Sequence, residues 1–197
     1  MAAETDFWQW FVKHQSSIEA FDEHNQHILD ELLVQLHNYN DQLYVELSTN
    51  ADENELVITA EGDPAQFDSV RQLVAKAPVL TNWTFTAFMP AMGFDFISTY
   101  EGVDYDPDHL WFMPLEHESD PSAFGIRVGI KDFDEKTHQH SEPAIWIILN
   151  TALGELACAE SIHYLETTAL PEHPEKAGYI ELIELPEYLD KHKNNKK

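Results

Sequence analysis

Glu55-Leu-Val-Ile-Thr-Ala-Glu-Gly-Asp63-Pro64-Ala-Gln-Phe67 is the stretch on which the fold of this chain turns. Leu56 to Ala60 is a short run rich in β-formers and reads as a strand. Gly62-Asp63-Pro64 then starts a helix, with Asp63 as the cap and Pro64 at the first helical position, where its missing N–H costs nothing. Phe67, Val70, Leu73 and Val74 fall on one face of a helix from Pro64 to Lys76, and Pro78 closes it.

Working outward, Leu43-Tyr-Val-Glu-Leu47 reads as a strand paired with Leu56 to Ala60 across the polar turn Thr49 to Asn54. Trp83-Thr-Phe-Thr-Ala-Phe88 alternates as the strand after the helix. The second half repeats the order. Leu110 to Met113 and Phe124 to Ile130 read as strands, Pro143 to Leu153 as a helix capped by Gly154, and Ser161 to Thr168 as a strand. The pseudo-repeat is 43–90 and 110–168, with Phe94 to Tyr100 as a bridging strand. The expected fold is α+β: a mixed or antiparallel sheet with helices on one face, in two ferredoxin-like strand–strand–helix–strand units. An N-terminal helical pair precedes it, a short helix over Phe7 to Val12 capped by Thr5 and a longer one from Ser17 to Tyr39. A last short helix from Pro186 to Lys193 docks through Leu185, Tyr188 and Leu189. One domain is expected over 1–190, followed by a disordered basic tail, 191–197.

Charge bounds the partners. The chain has 36 acidic and 11 basic residues, net −25, and four of the basic ones lie at 191–197, so residues 1–190 carry −29. Such a body repels nucleic acid and anionic membrane and attracts basic proteins or cations. A hydrophobic fraction of 43% keeps it within the folded class despite that charge. The start, Met1 to Asp6, lacks a signal peptide's basic and apolar regions, and a single cysteine, Cys158, excludes an intramolecular disulfide framework. A cytoplasmic protein is expected, with Cys158 a small buried residue.

Two groups of residues carry candidate chemistry. Carboxylates at Glu101, Asp104, Asp106 and Asp108, with Glu116, Glu118 and Asp120, suit a surface that caps a basic partner. The run Asp104-Tyr-Asp106-Pro-Asp108 is not an EF-hand loop, since His109 replaces the obligatory glycine and Leu115 the terminal glutamate. It reads as an acidic hairpin or crossover loop. Glu135, His138, His140 and Glu142 form the second group, ligand types for a divalent metal in a small-molecule hydrolase. His24 and His27 with Glu23 and Glu31 read as a solvated helix face. There is no GxSxG elbow, CxxC or phosphate-binding glycine loop. An interaction protein of inhibitor or immunity type is therefore expected rather than an enzyme, with no cofactor; the metal reading is the alternative.

One pattern, Ala77-Pro78-x-Leu80-x-x-Trp83-x-Phe85-x-Ala87-Phe88-x-Pro90, following Glu55 to Asp63 and Leu73 to Lys76, resembles an uncharacterised bacterial domain-of-unknown-function family over about half of the chain. Its motifs are structural and bring no catalytic residues. The acidic bias and the strand–strand–helix–strand order are similar to the bacterial regulator of ribonuclease activity B family. That resemblance implies a ferredoxin-like fold and inhibition of an RNA-degrading enzyme.

Overall fold

The computed structural model describes residues 3–21, 27–50, 53–117, 120–134 and 140–195. Among them are six α-helices and nine strands, an α+β arrangement grouped into two compact units, 1–89 and 90–197, where one domain was expected over 1–190.

The first unit opens with α1 (Ala3–Glu19) and α2 (His27–His37). The expected short helix over 7–12 and long helix over 17–39 are corrected by these bounds, and Thr5 lies inside α1 rather than capping it. Phe7, Trp8, Phe11 and Ile18 are the buried face of α1. β1 (Tyr44–Thr49) pairs antiparallel with β2 (Asn54–Thr59), and β2 pairs parallel with β3 (Trp83–Ala87), giving the order β1-β2-β3. The crossover from β2 to β3 is the capped segment. Asp63 accepts a hydrogen bond from the Ala65 N–H at 3.0 Å, Pro64 opens a single 3-10 turn, and α3 (Phe67–Val74) buries Phe67, Val70 and Leu73.

Aromatic packing fastens α1 to this sheet. Trp8 meets Phe85 edge-on at 4.8 Å between ring centres, and Phe11 meets Trp83 at 4.9 Å. Both indole N–H groups find acceptors, Trp8 donating to the Leu73 carbonyl and Trp83 to Glu19 Oε1, each at 2.8 Å. Beyond β3, Phe88 is buried with φ 69°, left-handed for a bulky residue, and packs on Phe67 with the Arg71 guanidinium 5.2 Å from its ring centre.

The second unit begins with a hairpin, β4 (Ser98–Tyr100) and β5 (Val103–Tyr105), where one bridging strand over 94–100 was expected. β6 (Leu110–His117) and β7 (Asp120–Ile130) form a long antiparallel pair. α4 (Ser141–Leu153) and α5 (Glu155–Ser161) cross to β8 (Tyr164–Ala169), parallel to β7. A two-residue strand, β9 (Ile180–Glu181), pairs with the outer side of β6, so the order is β8-β7-β6-β9. The strand–strand–helix–strand order thus occurs in both units. In each, the two parallel strands are direct neighbours, without the intervening strand of a split βαβ unit.

Period-2 alternation sorts β7. Phe124, Ile126, Val128 and Ile130 enter the core with Ile145, Ile148 and Leu149 of α4, whereas Gly125, Arg127 and Gly129 take the other face. Each fully buried aliphatic side chain here contributes about 2 kcal/mol. Gly154 (φ 81°) ends α4 and begins α5, so the strand expected from Ser161 starts instead at Tyr164. α6 (Leu185–Asn195) docks through Leu185 and Leu189, with Tyr188 edge-on to Phe112 at 5.5 Å. The segment expected as a disordered tail is helical as far as Asn195, with Lys191 bonded to Glu187 at 2.6 Å. No helix among the described residues is long and apolar enough to cross a membrane.

Candidate functional site

The acidic run folds as a hairpin. In Tyr100-Glu101-Gly102-Val103 both central residues have positive φ, 49° and 81°, the signature of the type I′ turn that matches strand twist. The register Ser98↔Tyr105, Thr99↔Asp104 and Tyr100↔Val103 gives the ribbon two unlike faces. Tyr100, Val103 and the buried Tyr105 lean on the core of their unit, while Thr99, Glu101 and Asp104 are exposed.

Local bonds hold the carboxylates. Thr99 Oγ1 donates to Asp104 Oδ1 at 2.6 Å across the ribbon. Asp106 Oδ1 accepts from the Asp108 N–H at 3.0 Å and its Oδ2 lies 3.1 Å from His109 Nδ1, so Asp106 caps the 3-10 turn Pro107–His109. Asp108 is exposed. Burial pushes the Tyr105 hydroxyl above the usual tyrosine range, and the Glu101 carboxylate adds to the shift.

At the tip, Glu101 Oε2 stands 3.7 Å from His140 Nε2, the residue that caps α4. The fold therefore joins one member of each candidate group, 39 residues apart in sequence. Ser141, the first helical residue of α4, shares a 2.6 Å hydrogen bond with Thr167. Glu142 is exposed in the first turn. Glu118, Glu135 and His138 lie outside the described residues, as does His24. Glu116 and Asp120 are described as backbone, in β6 and β7. Among the described residues, no three His, Cys, Asp or Glu side chains converge in a way that would hold a metal ion.

Cys158 is fully buried in α5, and burial pushes its thiol up to about 12. In the first unit a shallow, mostly apolar cleft of about 320 Å³ is lined by Thr5, Trp8, Gln9, Val12, Lys76 and Pro78; Lys76 is 3.1 Å from Glu4. It lacks convergent polar groups of the kind that orient a small substrate. Comparison with protein-family models, curated proteins and solved structures finds no match.

Proposed function

We propose that this chain is an acidic cytoplasmic interaction protein, an inhibitor or immunity-type factor that masks a basic surface of another protein. The observation that carries this is the hairpin: carboxylates on a tight ribbon, each of Asp104 and Asp106 oriented by a bond to its neighbours. Fixed donors and acceptors lose less entropy on binding than mobile ones. No Lys or Arg occurs between Lys76 and Arg127, so positive side chains along this stretch must come from elsewhere. Charge of one sign steers encounter and selects partners.

Affinity capture from host lysate at about 0.05 M salt, eluted at about 0.5 M, tests it, because the screening length shrinks several-fold over that range. A basic protein released stoichiometrically, and lost with the isosteric variant Glu101→Gln/Asp104→Asn/Asp108→Asn, is the expected outcome. An empty eluate, or capture indifferent to these substitutions, overturns the proposal.

The Glu101–His140 pair favours a second reading, a divalent metal site serving hydrolysis. Stoichiometric metal in the purified protein, abolished by His140→Ala, would establish it; metal-free protein would discard it.

A further inference from the structure

We infer that β1 is a docking edge, which takes up an extended, lysine- or arginine-bearing segment of the basic partner as an added antiparallel strand. This deepens the reading above, on which it rests. β1 is the terminal strand of its sheet: it pairs with β2 along Tyr44↔Thr59 to Thr49↔Asn54, in unbroken register, and no further strand lies along it among the described residues. Sheet edges are normally blunted by Pro, Lys, a bulge or short length, because a row of outward backbone groups templates another strand. β1 has six residues with no Pro, Lys or bulge, and its one charged side chain is Glu46.

The other edges differ. β6 is an edge only where it runs past the two-residue β9, and that part carries Pro114, which cannot donate to a new ladder. β3 is bracketed by Asn82 and Phe88, both left-handed, so regular extended backbone stops at each end. β8 has Arg127 paired to its Glu166 at 2.8 Å, so positive charge already stands there.

Charge names the occupant. Between Lys13 and Arg71 there is no Lys or Arg, while Asp41, Glu46, Glu53 and Glu55 border the β1–β2 hairpin. Tyr44, Glu46 and Ser48 are exposed on one face and Val45, Leu47 and Thr49 are half-buried on the other. An incoming strand with alternating basic and apolar residues meets both: its cations lie beside Glu46 and one strand from Glu55, its apolar residues extend the covered face. A second copy of this chain would bring another net −25 to the same edge.

The probe is a capped peptide of about seven residues alternating lysine and valine, the length of an ordinary strand. Its control has the central valine replaced by proline. Amide hydrogen exchange of the full chain is followed at low salt with peptide at ten times its Kd. Outward amides of β1 should slow about tenfold, and the proline peptide should leave them unchanged. Ser48→Lys should weaken the peptide about fivefold, whereas Gln72→Lys on the exposed side of α3, the same change of charge, should not. The inference is overturned if the alternating peptide fails to bind, if it binds without protecting β1, or if both peptides bind alike. It is also overturned if sedimentation shows a dimer whose β1 amides are protected without peptide. Successful capture by the β4–β5 hairpin with β1 left unprotected overturns strand addition alone.

Discussion

The ring of Tyr164 occupies the space that a β-carbon on Gly125 would need. The two residues are partners in the parallel register of β7 and β8, on the face away from the helices. A large ring over a neighbouring glycine covers backbone that would otherwise be bare and fixes the pairing of the two strands.

Gly125→Ala should therefore cost about 1–3 kcal/mol, because the ring, the strand or both must shift. Chemical denaturation of Gly125→Ala, Tyr164→Ala and the double variant measures this. The double variant should be more stable than the sum of the single losses predicts, since removing the ring removes the clash.

Arg127 and Glu166 are cross-strand partners bonded at 2.8 Å, and that bond is the main reason the guanidinium sits above its ordinary range. Both side chains are substantially exposed, 37% and 50%, so solvent screens the pair. Glu166→Gln should cost less than about 1 kcal/mol and the loss should shrink further in high salt. A larger, salt-independent loss would contradict this assignment.

Cys158 makes a prediction in two parts. A thiol enclosed in α5 should resist modification by thiol reagents in native buffer and react at the rate of unfolding. Its folded value of about 12 lies above the ordinary 9.0, so at higher pH the unfolded chain gives up the proton first. Stability conferred by Cys158 is then complete below pH 9.0 and declines as pH rises toward about 12. Denaturation of the native chain and of Cys158→Ala should differ by a constant amount below pH 9.0, and the difference should move against the native chain as pH rises toward about 12.

Glu101 holds a left-handed conformation that glycine or asparagine adopts at less cost. Glu101→Asn should raise stability by up to about 1 kcal/mol through the turn, as Asn-Gly is the preferred type I′ pair. The same substitution removes the contact with His140. Thermal unfolding and partner capture, measured on one variant, should thus move in opposite directions.

Much of the fold is legible in the sequence because it is written in local chemistry. Asp63-Pro64 caps a helix start as its residue types dictate, and Gly154 stops α4. The parts that escape local rules are set by packing. α1 runs to Glu19 because nothing local breaks it earlier, and two-residue β9 exists through its pairing with Trp111 and Phe112. α5 hides behind a glycine that serves as both stop and start. The hairpin turn Glu101-Gly102 is a weaker signal than Asn-Gly, so its second strand reads as loop. Of the candidate site, the acidic ribbon follows from composition, whereas the meeting of Glu101 with His140 depends on where β4 and α4 fall in space.

The two indole bonds of α1 give the first unit a built-in optical reporter. Trp8 is tied to the carbonyl of Leu73 and Trp83 to the carboxylate of Glu19, near opposite ends of one helix. Lifting α1 from its sheet would wet both rings in a single event. Emission from these two fluorophores, two of the chain's five tryptophans, should therefore shift to the red together, so that their share of the tryptophan light follows the seating of this helix.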